Sequence, residues 1–345
     1  MSLTKLGALK KDIENTLNLF FDKKLTEAKL VSEISYQAIS ILKAYTMRGG
    51  KRIRAILLYL GYTSFSEPTK EVLKACASME LLQSFLLIHD DIMDQDELRR
   101  GKPTVHVQYE KSVDSKVSKH YGTSMAICLG DLAFVYANEL LLSANLQNKE
   151  EALKKMHEIL NGVVEGQMLD LSFEHLDLVT EKDVLLMQEL KTATYTIEGP
   201  LSIGALLAGA SNNDIEIIKE FSSPLGLAFQ LRDDILGLFG NEDKLGKPIG
   251  SDLKENKRTL LILKTLDKAN NDQKKLINQS LGNQNITKND IDMVRKIVID
   301  TGSLKYSQTL EKELTKKALK LIKGSNLKQK EFLITLISSL SKRIK

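Results

Sequence analysis

Tryptophan is absent from the 345 residues, proline occurs five times, cysteine twice, and aromatic residues make up 6% of the chain. So little aromatic material disfavours a β-sandwich or barrel, whose strands draw on aromatic and β-branched side chains. Cys76 and Cys128 stand far apart in apolar stretches, which excludes a disulfide framework and a thiolate zinc site and fits a reducing cytoplasm. The five histidines are isolated and form no metal set, so His89 reads as a packed side chain. The N-terminal MSLTKLGALKKDIENTL alternates charged with apolar residues and lacks the features of a signal peptide. The most apolar stretch, Pro200 to Ala210, is about half the length a bilayer requires, so no stable membrane insertion is expected. The net charge is only +4, with both signs interspersed, which gives no basis for a nucleic-acid partner.

What is abundant is leucine, isoleucine, lysine and glutamate, the material of helices. The length is large for one core, yet nothing in the chain offers a place to cut it, so a single helical domain over residues 1–345 is expected. Apolar residues recur three or four apart: Val72, Cys76, Met79, Leu82, Phe85 and Leu86 form one stripe, and Phe332, Leu333, Leu336, Ile337 and Leu340 another. Thr180 with Asp183 and Thr287 with Asp290 read as capping boxes that open helices. Stops are expected at Gly49-Gly50, Pro68, Gly101 to Pro103, Asn148, Gly199-Pro200, Ser211 to Asn213, Gly240 to Gly250 and Gly282-Asn283. The pattern predicts an all-α protein of roughly ten to thirteen helices, by the usual helix length.

Two segments carry chemistry. LLIHDDIMDQDELRR and FQLRDDILGLFGNEDKLGK each set a double aspartate at the end of an apolar helical run, with basic residues soon after. Asp90 and Asp94 lie four apart, on one helical face a turn apart. Asp91, Asp96 and Glu97 add to the charge, so cations are needed nearby. Carboxylates without histidine or thiolate select hard ions, and Mg²⁺ binds through a few carboxylates together with substrate phosphates. The apolar approach of Leu82, Phe85, Leu86 and Ile88 suits a ligand with a phosphorylated head and a greasy tail. An acidic helix end that is merely solvated, or paired with Arg99 and Arg100, gives the same local pattern. Asp233 and Asp234 on a second apolar stripe favour the first reading, because buried acids are costly without a partner. Gly49-Gly50-Lys51-Arg52-Ile53-Arg54 adds two flexible glycines before three cations, a composition able to cradle phosphate.

In their order and spacing, GGKRIR, LLQSFLLIHDDIMD with RRGKPTVH, GQMLDL, KTA, and FQLRDDILG with GKPIGSD and NKRT resemble the trans-isoprenyl diphosphate synthases. That group contains the farnesyl and geranylgeranyl diphosphate synthases, and the similarity runs from about Gly49 to Leu260. It implies a helical bundle around a deep cavity with the two aspartate segments facing each other, in a homodimer, using Mg²⁺, three ions when substrate is bound. By position, Asp90, Asp94 and Asp233 are implied as metal ligands, with Asp91 in the same metal group and Asp96 in support. Lys51, Arg54, Gln83 and Arg100 are implied for isopentenyl diphosphate. Arg99, Lys191, Thr192, Gln230, Lys247 and Lys257 are implied for the allylic diphosphate, whether dimethylallyl, geranyl or farnesyl. The resemblance departs at Gly237, where a third aspartate often stands.

Ionising an allylic diphosphate leaves a pyrophosphate anion and a carbocation, so metals and cationic side chains that stabilise the leaving group accelerate it. The double bond of isopentenyl diphosphate then attacks, a proton is lost, and water must be kept away. In such enzymes product length follows the depth of the cavity along the first acidic helix. Phe85 lies roughly 7 Å along that helix from Asp90. An aromatic there with aliphatic Leu86 next to it resembles enzymes with C20 products, geranylgeranyl diphosphate, with farnesyl diphosphate or a C25 product as alternatives. A non-catalytic diphosphate-binding subunit, a metal phosphohydrolase and a terpene cyclase are the competing functions.

Overall fold

A computed structural model of the chain describes residues 3–176, 178–240 and 249–341. Among the described residues lie sixteen α-helices, one π-helical segment and one hairpin of two-residue strands, so the chain is all-α as expected. The helices outnumber the expected ten to thirteen because some are as short as four or six residues, too short to leave a period in the sequence. By its contacts the chain divides into two compact units, Met1–Lys154 with Pro200–Ser211, and Lys155–Gly199 with Asn212–Lys345.

The first unit holds α1 (Leu3–Val31), α2 (Glu33–Thr46), α3 (Ile53–Phe65), α4 (Val72–Met93), α5 (Val105–Glu110) and α6 (Ser118–Ser143). The hairpin Leu98–Arg99 with Lys102–Pro103 joins α4 to α5. α4 is the axis, packed against α1, α2, α3, α5 and α6. On its expected stripe Val72, Cys76, Met79 and Leu82 are buried, and Phe85 and Leu86 are half-buried toward its acidic end. Full burial of one such side chain contributes about 1.5–3 kcal/mol, so this face explains why α4 is a helix without a capping side chain. Most of α9 (Gly199–Leu207) also belongs here, seated against α3. A Cβ at Gly204 would lie 2.0 Å from the Leu58 carbonyl oxygen, and one at Gly61 2.2 Å from that of Leu201, so the two backbones meet at glycines.

Pro200 to Ala210 is not the most apolar stretch on the scale of a membrane span. α4 and α6 are long and apolar enough to cross one by length and composition, and 61% and 44% of their apolar windows are buried within the protein. The sequence reading missed them because Asp90 and Asp91, and Asp131 in α6, interrupt the apolar runs.

The second unit continues α7 (Lys149–Phe173) from Lys155 and holds α8 (Glu181–Gln188), the π-helix Glu189–Glu198 and α10 (Asn212–Phe239). After these come α11 (Ser251–Lys254), α12 (Leu260–Lys268), α13 (Asn271–Ser280), α14 (Lys288–Asp300), α15 (Ser303–Gly324) and α16 (Lys330–Ser341). α10 packs on the π-helix and on α15. Both expected capping boxes are formed, and Asn270 with Gln273 makes a third. Phe332, Leu333, Leu336 and Ile337 are buried on α16. Gly199-Pro200 is not a stop. The missing N–H of Pro200 costs nothing in the first turn of α9, and the Gly199 N–H donates to the Thr194 carbonyl five residues back, so helix follows helix without a loop.

Candidate active site

Asp90 and Asp91 occupy the last turn of α4, and Asp94 is its C-cap, the Asp94 N–H donating to the Asp90 carbonyl at 2.8 Å. A helix C-terminus already carries partial negative charge, so three carboxylates there require cations. Arg99 supplies one. Its Nε donates to Asp91 Oδ1 at 2.5 Å and its Nη2 reaches Asp96 at 2.9 Å and Asp90 at 3.5 Å. The hairpin turns at Arg100 and Gly101, both at positive φ, the pattern of a type I′ turn, and so doubles the chain back.

Asp91 differs from its neighbours. It is buried, and Tyr45 on α2 donates to its second oxygen at 2.7 Å. Burial lifts Asp91 to about 6, against the pull of Arg99 and the Tyr45 hydroxyl. Burial works to lower the Arg99 guanidinium, but Asp91 and Asp90 outweigh it and hold it above its usual range. Asp91 is therefore a brace inside the protein, whereas Asp90 and Asp94 are half-buried at the helix end.

Beside this group lies a recess lined by Tyr45, Arg48, Arg52, Gln83, Arg99 and Arg100, among others. The three cations of GGKRIR have different places. Lys51 is exposed and Arg54 half-buried, but Arg52 is buried and spent on Glu80 at 2.7 Å and the Thr46 carbonyl at 3.0 Å. Gln83 keeps a buried amide oxygen without a hydrogen-bond partner. Burial, reinforced by Arg52, pulls the Arg100 guanidinium down. Gly50, at φ 126, is required where it stands, and a Cβ on it would lie 2.8 Å from that guanidinium.

In the second unit Asp233 is exposed on α10 and Asp234 is buried, accepting from Gln188 and Gln230 at 2.7 Å each. Burial, then the Asp252 charge, raises Asp234 well above the usual carboxylate range. Gln230 thus serves Asp234. At the departure from the repeated motif, a Cβ on Gly237 would lie 2.9 Å from Asp252 Oδ2, so a carboxylate from α11 stands beside that position. Lys191 and Lys257 converge on Asp170 Oδ2 at 2.6 and 3.1 Å. Burial raises Asp170, but the two lysines outweigh it and hold it below the usual range. Lys191 and half-buried Thr192 sit on the π-helix, a rare wide turn often found at functional sites. The π-helix passes close to α7 at Gly166, where a Cβ would lie 2.4 Å from the Lys191 nitrogen. Lys247 lies outside the described residues.

No three acidic, histidine or cysteine side chains among the described residues are gathered tightly enough to hold an ion alone. The donors are carboxylate oxygens throughout, which suits Mg²⁺, an ion that takes one or two carboxylates and completes its shell with water and phosphate. Asp170, Tyr45 and Arg48 are the residues sequence reasoning passed over. Asp170 was within reach, since it belongs to GQMLDL, and Arg48 directly precedes Gly49-Gly50; Tyr45 lies on no acidic or glycine-rich segment. Phe85 stacks near Phe134 and His89 at centroid distances of 5.3 and 5.0 Å. His89 is packed, its Nε2 3.3 Å from the Ile127 carbonyl, in space left by Gly130.

The sequence profile of the family described as polyprenyl synthetase matches residues 37–298. The chain is 38% identical over 275 residues to a geranylgeranyl diphosphate synthase of Sulfolobus acidocaldarius, covering 79% of each. It is 36% identical over 297 residues to a short chain isoprenyl diphosphate synthase of Methanocaldococcus jannaschii, covering 84% of this chain and 86% of that one. Among solved structures, a geranylgeranyl pyrophosphate synthase of Corynebacterium glutamicum complexed with isoprenyl diphosphate and magnesium superimposes with a TM-score of 0.90 at 30% identity, covering 99% of this chain and 100% of that one. Carrying an all-α fold and the family's motifs in their order, the chain belongs to the polyprenyl synthetase family.

Proposed function

We propose that this chain extends allylic diphosphates with isopentenyl diphosphate, head to tail, and releases chiefly the C20 product, geranylgeranyl diphosphate. Its family makes it a trans-prenyltransferase that uses divalent metal and binds isopentenyl and allylic diphosphates. The observation that carries the finer reading is Arg99, which both lines the cationic recess and binds Asp90, Asp91 and Asp96. An anion pocket and a carboxylate group that share one guanidinium suit two diphosphates handled in one reaction.

In this reading Asp90, Asp94 and Asp233 hold Mg²⁺, three ions with substrate, and Asp91 keeps the first two in register through Tyr45 and Arg99. The metal, when bound, stabilises charge on the departing pyrophosphate. Lys191 and Lys257, held together by Asp170, and Lys247 grip the allylic diphosphate. Lys51, Arg54, Gln83 and Arg100 orient isopentenyl diphosphate. No enzyme nucleophile is needed, and the apolar face of α4 keeps water from the cation. Phe85, backed by Phe134, limits the growing chain. A homodimer belongs to the same proposal, supported by Ile127, Val135 and Leu142 exposed on α6, as does a cytoplasmic location, supported by two free cysteines.

Incubating the purified protein with isopentenyl diphosphate, each allylic primer in turn and Mg²⁺, then sizing the products, tests the proposal. A C20 diphosphate is expected. A C15 or C25 product would remove the length assignment, a cyclised hydrocarbon or hydrolysed primer would remove the reaction, and an inert protein would point to a partner subunit.

A further inference from the structure

Arg48 follows the C-cap of α2 and directly precedes Gly49-Gly50. It has no part in the sequence motifs, yet it lines the cationic recess. Four guanidinium groups face that recess, and two of them are committed to carboxylates: Arg52 to Glu80, and Arg99 to Asp91 and Asp96. Arg48 and Arg100 have no ion pair among the described residues. The Arg48 guanidinium carbon lies 4.8 Å from the Tyr45 ring centroid, while its Nη1 is buried and without a hydrogen-bond partner. Burial pulls this guanidinium down, against the opposing pull of Tyr45 and Asp91.

A buried donor on a cation, left unpaired, is costly unless an anion meets it in the working state. The Tyr45 ring, 4.8 Å away, restrains the guanidinium at the recess, where its fork suits two parallel hydrogen bonds to one phosphate. Tyr45 also donates to Asp91, which ties the orientation of Arg48 to the first acidic group.

We propose that Arg48 is a further ligand of the isopentenyl diphosphate head group, presented by the Tyr45 ring. This rests on the prenyltransferase reading above and adds one residue to it. The role is binding, with no bond made or broken by the side chain. The contrasting view is that Arg48 only staples the end of α2 by stacking on Tyr45. The two views differ in what the substitution of Arg48 moves.

The experiment uses the full chain with Mg²⁺, comparing wild type, Arg48→Gln and Arg48→Lys. One charge-assisted pair is worth a factor of about ten or more in affinity. The KM for isopentenyl diphosphate is therefore expected to rise at least about tenfold in Arg48→Gln. It should recover in part in Arg48→Lys, whose point charge cannot fork, with the KM for the allylic primer within about twofold. A staple alone would lower the thermal midpoint and leave both KM values in place. Calorimetric titration of isopentenyl diphosphate into protein without primer reads the same loss as a weaker Kd. Unchanged affinity in the glutamine variant, or equal loss for both substrates, would overturn the assignment. Should Arg48→Gln not fold, the lysine variant carries the test, and an unchanged KM there would overturn it. If wild-type protein forms no condensation product, the enzymatic reading fails, and the calorimetric titration still decides whether Arg48 holds the diphosphate.

Discussion

Asp170 is 6% exposed and accepts hydrogen bonds from two ammonium groups, one 21 and the other 87 residues away in sequence. Its carboxylate is the acceptor at which Lys191 and Lys257 meet. Asp170→Asn removes the carboxylate that both ammonium groups share, with Glu174 still 3.4 Å from Lys257, and should cost about 1.5–3 kcal/mol, measurable as a lower urea midpoint with an unchanged slope. The same pair sets a pH dependence. Because the folded pKa is lowered, the folded carboxylate holds its proton less tightly than the unfolded chain does. The stabilisation is then complete above the unfolded value, about 3.9, and is lost as pH falls through the lower folded value. Unfolding free energy followed into acid should fall in the wild type, and the part due to this carboxylate should vanish in Asp170→Asn. The lysines and Asp170 were each legible in the sequence because they sit in recognisable motifs; that the three meet was not, since they lie 21 and 87 residues apart in the chain. Arg52 is the reverse case, a motif cation with a buried structural task. At Phe85 the substitution Phe85→Ser should shift the product distribution beyond C20, read by product sizing. An unchanged distribution would deny Phe85 its limiting role and leave it as a core side chain against Phe134.

At the scale of elements, the helices that period alone announced are two with a buried stripe, α4 and α16. The joins were harder to read. Gly199-Pro200 carries the composition of a break, but a π-turn on one side and the tolerance of proline in a first turn on the other let the chain run on. No local rule foretells this, because the π-helix is held by α7 and α10, through Gly166 against Lys191 and Gly226 against Ala193. Glycines inside helices therefore separate into two kinds. Gly204 faces the Leu58 carbonyl of α3 at a distance that no Cβ tolerates, so Gly204→Ala must push two backbones apart and should cost about 1–3 kcal/mol or more. Gly7 in α1 has nothing within 4 Å of the added carbon, so Gly7→Ala should instead stabilise by about 1 kcal/mol through helix propensity. Denaturant midpoints of opposite sign would establish both, and a harmless Gly204→Ala would mean that α3 and α9 do not approach so closely.

By its contacts the whole molecule divides into two units, and two of the three changes fall at stretches that read as helix stops, Gly199-Pro200 and Ser211 to Asn213. The chain changes unit three times, after Lys154, Gly199 and Ser211, and the short return over Pro200–Ser211 belongs to the first unit, so each unit is assembled from separate stretches of chain. The two acidic groups fall on different sides of that division, Asp90 in the first unit and Asp233 in the second. If both serve one pyrophosphate, a ligand that needs both must stabilise the entire chain. Inorganic pyrophosphate with Mg²⁺, at about 100 times its Kd, should add about 2.7 kcal/mol and raise the thermal midpoint. Pyrophosphate with a chelator should add little, because the carboxylates then repel the anion. Asp90→Asn and Asp233→Asn should each abolish most of the metal-dependent gain while changing the ligand-free midpoint far less, since Asp233 is exposed and Asp90 is half-buried at a helix end. A full gain retained in Asp233→Asn would remove the second acidic segment from the metal site and leave the chemistry to the first unit alone.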